Sequence, residues 1–230
     1  MDYQVKIYAD GADIASIIAM DKNPQIAGFT TNPSLMRKAC VSDYLAFVMD
    51  AVKSTSKPIS FEVIADDFEH MKRQALTLST FGKNTYVKIP ITNTKGESSI
   101  PLIEQLNRQG VKINVTAVFT LKQAMACAFA MRSAPAIISV FAGRIADTGI
   151  DPAPLCALVK RACTMNIEVL WASTRELLNI RQAEAAQCDI ITVPNDMLLK
   201  LKLTGKDLSD YSLETVKMFF DDARASGYVL

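Results

Sequence analysis

Short runs rich in valine and isoleucine recur along this chain, and each is followed by a segment whose apolar residues fall at helical spacing. The pattern predicts strands over 5–9, 27–31, 58–64, 85–91, 111–118, 136–142, 168–172 and 189–193. Helices are predicted over 12–21, from 33 to about 52, and over 68–81, 97–109, 121–131 and 154–164, then from 173 to about 187 and briefly after 195. An amphipathic helix over 213–225 follows. Strict strand–helix alternation requires parallel strands, because a crossover helix returns the chain to the same end of the sheet each time. Eight such units in 230 residues fit an α/β fold built as a single closed (β/α)8 barrel with an extra C-terminal helix. A doubly wound open sheet is the alternative, and it usually needs fewer strands. Residues 1–230 are read as one barrel domain, with 205–230 as a C-terminal extension.

In a barrel the C-terminal ends of the strands converge on one mouth. That topology gathers Asp10, Asn32, Glu62, Lys88, Asn114, Thr116, Ser139, Arg144, Ser173 and Arg175, which lie far apart in sequence. Each has an ordinary structural explanation taken singly. Asn32, Ser34 and Ser173 suit helix caps, Thr116 and Ser139 are small strand residues that can bond backbone, and Arg144 and Arg175 can be surface charges. Asp10, Glu62 and Lys88 are harder to explain this way, because each interrupts an apolar strand, where an ion is rarely kept unless it is paired or functional.

Lys88 is the sharpest case. In Tyr86-Val87-Lys88-Ile89-Pro90, period-2 alternation turns Tyr86, Lys88 and Pro90 to one face and Val87 and Ile89 to the other. On a buried strand the ammonium has no easy route to water. Desolvation favours the neutral amine, which is a nucleophile able to form a Schiff base with a carbonyl, whereas nearby carboxylates favour the charged form. The competing reading is a lysine on an edge strand with its head in solvent.

Composition narrows the chemistry. His70 is the single histidine, which excludes multi-histidine metal sites within one chain, and its polar helical surroundings predict a solvated side chain. Neither Gly-x-Gly-x-x-Gly nor Gly-x-x-x-x-Gly-Lys occurs, so no nucleotide cofactor is indicated, and the expected cofactor and metal complement is none. Lys plus Arg total 25 against 24 for Asp plus Glu, with no basic run, so neither nucleic acid nor a membrane surface is an expected partner. No apolar run reaches the ~18 residues of a membrane span, and Met1-Asp2-Tyr3-Gln4-Val5-Lys6 does not read as a signal sequence. Five scattered cysteines without a Cys-x-x-Cys pair read as reduced thiols, and the expected location is cytoplasmic.

Two segments carry a specific resemblance. Gly28-Phe29-Thr30-Thr31-Asn32-Pro33-Ser34 and Val87-Lys88-Ile89-Pro90 resemble the Thr-Thr-Asn-Pro-Ser signature and the Schiff-base segment of the transaldolase family, its short members in particular. Asn114-Val115-Thr116, the run from Ser139 to Ile145, and Ala172-Ser173-Thr174-Arg175 are similar to later motifs of that family, in the same order. The resemblance spans Asp10 to about Pro194. It departs at Gly11, where the family has Ser or Thr, at Thr174, where an aromatic is common, and at Trp171, an unusual residue beside the site. These departures bear on substrate fit more than on chemistry.

The resemblance implies a cofactor-free class I aldolase mechanism of the pentose phosphate pathway. Lys88 would attack the ketone of fructose 6-phosphate or sedoheptulose 7-phosphate. Glu62, with Thr116 and a water, would move protons, and Asp10 would take the C4 hydroxyl proton as the C3–C4 bond breaks. Asn32, Asn114 and Ser139 would hold the donor's hydroxyls, while Arg144, Ser173 and Arg175 would bind its phosphate. Phe141 and Glu62 match the transaldolase pattern, whereas Tyr and Gln at these positions resemble the related fructose 6-phosphate aldolase. The dihydroxyacetone unit would pass to glyceraldehyde 3-phosphate or erythrose 4-phosphate. A non-catalytic phosphosugar-binding barrel is the reading from a different class. The C-terminal helix resembles the segment by which short members pack onto a neighbouring subunit, which implies a homo-oligomer, a pentamer or a decamer.

Overall fold

The computed structural model describes residues 3–228, and its eight strands form one closed parallel barrel in sequence order, β8 returning to β1. The strands are β1 (Lys6–Asp10), β2 (Ile26–Thr30), β3 (Ile59–Glu62), β4 (Thr85–Pro90), β5 (Ile113–Val118), β6 (Ala136–Val140), β7 (Ile167–Trp171) and β8 (Ile190–Pro194). Around them run α1 (Ile14–Asp21), α2 (Pro33–Lys38), α3 (Tyr44–Ser54), α4 (Phe68–Ser79), α5 (Ile100–Arg108), α6 (Leu121–Ala130), α7 (Ala142–Ala146), α8 (Ala153–Ala162), α9 (Leu178–Ala185) and α10 (Asn195–Leu198). The last helix is α11 (Leu208–Ala225). This is the expected (β/α)8 barrel with its additional C-terminal helix.

Alternation along the strands builds two separate layers of packing. Ile7, Phe61, Val87, Ile89, Val115, Val169 and Trp171 belong to the main core between sheet and helices. Tyr8, Tyr86, Ile137, Leu170 and Ile190 form a smaller apolar cluster inside the barrel. Gly28 is required beside that inner cluster, since a Cβ there would stand 2.5 Å from Cζ of the Tyr8 ring. The inward positions nearer the strand C-termini are instead polar: Asp10, Thr30, Glu62, Lys88 and Thr116 line a cavity above this apolar floor. Helix starts are fixed by side-chain caps, with Asp13, Asp43 and Asp67 each accepting a backbone N–H of the first turn, a contact of about 1 kcal/mol.

Four local expectations differ from the structure. The helix predicted from 33 to about 52 is two helices, broken where Cys40 takes a left-handed φ of 55°. The sixth strand ends at Val140 rather than 142, because the chain turns there into α7. No helix begins at Ser173; α9 starts at Leu178, and Ser173 itself has φ 64°. Trp171 is not beside the site but points outward into the helix layer, 1% exposed. The reason is its register: it follows Leu170, which faces inward, and alternation sends it to the other side.

His70 is exposed and pairs with Asp67 at 2.6 Å. Among the described residues, no helix is long and apolar enough to cross a membrane.

Candidate active site

Pairing between neighbouring strands sets polar groups at one level of the barrel: Glu62 is in register with Lys88, and Lys88 with Asn114. Glu62 and Lys88 open on a cavity of ≈490 Å³ at the C-terminal ends of the strands. A second cavity of ≈460 Å³ lies at the N-terminal end of β1, where among the described residues Lys6 is the one charged group of the lining, so the convergent chemistry belongs to the first.

Lys88 is 6% exposed. Its Nζ donates to the Thr31 carbonyl oxygen at 3.0 Å and lies 3.1 Å from Oε2 of Glu62. The ammonium is therefore removed from bulk water yet held between a carboxylate and a carbonyl, and the carboxylate is near enough to exchange a proton with it. Asp10 stands on β1 with Oδ1 accepting from Oγ1 of Thr30 at 2.7 Å, and Thr30 in turn shares a 2.5 Å contact with the Thr192 hydroxyl. Asp10 is part-buried and lines the cavity. Burial pushes its carboxyl above the ordinary carboxylate range, the charge on Lys88 and the Thr30 hydrogen bond act in the opposite sense, and Glu62 adds to the rise. A carboxyl so placed holds its proton to higher pH than a surface aspartate does.

The neutral polar groups divide into committed and free ones. Asn114 is fully buried and does not touch the cavity. It lies beneath, donating to Oγ of Ser60 at 3.0 Å and accepting from Oγ of Ser139 at 2.7 Å, so it fixes the floor. Thr116 is buried and lines the cavity, and among the described residues its hydroxyl has no hydrogen-bond partner. Asn32 also lines the cavity, with Oδ1 occupied in capping α2 through the Leu35 N–H at 3.0 Å. Its amide N–H₂ is the part left for a ligand.

At the rim, Phe141 packs against Phe119 with ring centroids 5.5 Å apart, and the Arg144 guanidinium carbon lies 5.3 Å from the Phe141 ring centre. Arg144, Ser173 and Arg175 all line the cavity. Arg175 is engaged, however: Nε and Nη2 bond Asp147 at 3.2 and 2.5 Å. Gly143 has no room for a side chain, since a Cβ would sit 1.6 Å from the Ser173 carbonyl oxygen. The barrel thus brings together every residue singled out from the sequence, ten at the cavity wall and Asn114 below it. Thr30 and Thr192 were missed as parts of the site. Alternation alone places both on the inward face, Thr30 two residues after Gly28 and Thr192 between Ile190 and Pro194, so the signal was present.

Comparison with known proteins agrees with this architecture. A "probable transaldolase" from Thermoanaerobacter is 31% identical over 226 residues, covering 97% of this chain and 99% of that protein. One from Carboxydothermus hydrogenoformans is 35% identical over 200 residues, covering 86% and 90% respectively. Among solved structures, 2,3-dimethylmalate lyase, a PEP mutase/isocitrate lyase superfamily member, superposes with a TM-score of 0.59 at 10% identity, covering 98% of this chain and 84% of its own, a likeness of fold alone. The sequence profile described as Transaldolase/Fructose-6-phosphate aldolase matches residues 7–228. The chain belongs to the transaldolase/fructose-6-phosphate aldolase family.

Proposed function

We propose that the protein is a transaldolase that transfers a dihydroxyacetone unit from a ketose phosphate to an aldose phosphate through a Schiff base on Lys88. The observation that carries this reading is the buried Lys88 ammonium, 3.1 Å from Glu62 and opening on the same cavity as the part-buried Asp10 carboxyl.

Glu62 takes a proton from the ammonium, and the freed amine adds to the C2 carbonyl of fructose 6-phosphate. Loss of water from the carbinolamine, with protons moved by Glu62, the Thr116 hydroxyl and a water, gives the iminium ion. Asp10 accepts the C4 hydroxyl proton as the C3–C4 bond breaks. The bond's electron pair passes to the iminium nitrogen, glyceraldehyde 3-phosphate leaves, and a neutral enamine stays on Lys88. Its C3 then attacks the aldehyde carbon of erythrose 4-phosphate, Asp10 returns the proton to the new hydroxyl, and hydrolysis of the imine releases sedoheptulose 7-phosphate. Asn32 and Ser139 hold donor hydroxyls over the Asn114 floor, and Arg144, Ser173 and Arg175 receive the phosphate.

A second reading, fructose 6-phosphate aldolase, differs only in the fate of the enamine, which must be protonated before hydrolysis. Phe141 lines the cavity and has no proton to give, which favours transfer. α11 supports a homo-oligomer: it has no buried residue, and Leu213, Val216, Phe219 and Phe220 are each more than half exposed.

The test has two parts on one preparation. Borohydride reduction in the presence of fructose 6-phosphate should leave an adduct on Lys88, whereas a non-catalytic sugar-binding barrel leaves none. Coupled assays should then show transfer to erythrose 4-phosphate far exceeding release of free dihydroxyacetone. Equal rates with and without acceptor would move the assignment to the aldolase.

A further inference from the structure

The rim carries a carboxylate that the proposed chemistry does not use. Asp147 follows the last residue of α7, the helix that bears Arg144, and it reaches across to Arg175 in the segment after β7. Its two oxygens take Nε–H and one Nη2–H of that guanidinium, at 3.2 and 2.5 Å, in a side-on bidentate arrangement. An arginine has five N–H groups, so three remain for another acceptor. Arg175 hydrogen bonding pushes the Asp147 carboxyl below the usual carboxylate range, and the charges of Arg175 and Arg144 act in the same direction. The carboxylate therefore keeps its charge to lower pH than a free aspartate.

The same two segments meet at a second point. The Gly143 N–H donates to the Ala172 carbonyl oxygen at 3.2 Å, and the missing side chain at Gly143 admits the Ser173 carbonyl and leaves the Arg175 stem 3.2 Å from where a Cβ would be. Ser173 holds φ 64°, a conformation that a non-glycine residue keeps only where its neighbours enforce it. Arg144 and Arg175 thus sit on two short segments joined at Gly143 on the inside and at Asp147 on the outside.

Resting on the phosphate reading of Arg144 and Arg175 above, we infer that Asp147 is a positioning residue for the substrate phosphate: it ties α7 to the segment after β7 and locks the Arg175 guanidinium so that its unused N–H groups and Arg144 form one anion cradle. A bare carboxylate beside the cradle would only repel the anion. A carboxylate fully engaged by Arg175 trades part of that repulsion for a fixed direction, and direction is what separates a phosphate site from a diffuse positive patch.

The experiment compares the full-length wild-type chain with Asp147→Ala and Asp147→Asn, by calorimetric titration with inorganic phosphate and by steady-state transfer from fructose 6-phosphate to erythrose 4-phosphate. For Asp147→Ala the expected result is roughly tenfold weaker phosphate binding and a similar rise in KM, the low end of what one charged hydrogen bond is worth, with a much smaller change in kcat. Asp147→Asn should recover part of the loss, because its amide oxygen still accepts one guanidinium N–H. Phosphate binding by Asp147→Ala as tight as wild type, or tighter, overturns the inference, since the carboxylate would then merely oppose the anion. A lowered kcat and melting temperature with unchanged phosphate affinity overturns it as well, in favour of a plain helix-end contact. The titration does not involve Lys88, so a wild-type chain that binds phosphate without transferring dihydroxyacetone would remove the transaldolase reading while leaving this comparison decisive.

Discussion

Replacing Lys88 with methionine keeps the length and bulk of the side chain and removes the charge, so its effect on stability separates the two sides of a buried ion pair. The ammonium has two protein acceptors, the Thr31 carbonyl at 3.0 Å and Glu62 at 3.1 Å, and both lose a charged donor in the variant. Removing one partner of a buried pair typically costs about 3–5 kcal/mol, because the other charge is left uncompensated. Two features lower that figure here. The Glu62 side chain is 18% exposed and reaches water through the cavity, and Asp10, already pushed up by burial and opposed chiefly by the Lys88 charge, can take up a proton once that charge is gone. A loss of about 2–3 kcal/mol remains. For a chain of this length 1 kcal/mol shifts the midpoint by roughly 2–4 °C, so Lys88→Met should melt about 5–10 °C below wild type. Adding Glu62→Gln removes the orphaned carboxylate, and the double variant should recover most of the deficit, a strongly non-additive cycle. Differential scanning calorimetry on wild type, both single variants and the double variant reads this directly. Additive effects, or a Lys88→Met chain as stable as wild type, would refute the picture of a desolvated and paired ammonium; borohydride trapping by Lys88→Met would refute its chemical role.

Asp10→Asn tests the opposite trade. A carboxyl whose folded pKa lies above its unfolded value lends stability that is complete below the unfolded pKa, about 3.9, and is lost as pH rises through the folded value, so Asp10 weakens the fold at neutral pH. The asparagine variant should therefore melt higher than wild type at pH 8, with the gap narrowing toward pH 4, while transfer falls roughly 10²- to 10⁴-fold. Arg144→Ala should raise KM for phosphorylated donors by the equivalent of about 1.5–3 kcal/mol with kcat nearly kept; an unchanged KM with a lowered melting temperature would make Arg144 structural. Gly143→Ala should separate the two rim segments, since its Cβ has only 1.6 Å to the Ser173 oxygen, and a shift of about 1 Å at this rim should lower kcat/KM on fructose 6-phosphate by roughly 100-fold. Phe141→Tyr should shift the partition toward release of free dihydroxyacetone, read from the two coupled assays.

What could be read from the sequence follows from periodicity. Strand–helix alternation fixes the barrel, and period 2 along each strand decides which residues share its interior. Lys88, Glu62, Asp10 and Thr116 were therefore recoverable before any coordinates, because each lies at the C-terminal part of a strand and on the inward phase. The same rule also places Thr192 inside and Trp171 outside, although the type of neither residue marks its side. Cys40 shows a different limit. Nothing in its chemistry announces a left-handed φ of 55°, and so the break between α2 and α3 is invisible in a continuous amphipathic pattern.

The rim is where the sequence says least, for a physical reason. Local propensity and apolar spacing report on segments long enough to show a period, whereas α7 has five residues and the segment after β7 is irregular up to Leu178. Ser173-Thr174 reads as a helix cap by composition, yet the Thr174 hydroxyl is committed to the Thr192 carbonyl at 2.6 Å and Ser173 is turned to a positive φ, so the helix waits until Leu178. Asp147 looks like one more surface acid after a short helix. Its partner lies 28 residues away, and only the crossing of two chain segments at Gly143 brings the carboxylate onto Arg175. Barrel interiors repeat a rule from strand to strand and can be read by counting, but the rim loops are each built once. Arg144 and Arg175 were therefore legible from their motifs, whereas the Asp147 contact that we propose orients the Arg175 guanidinium was not.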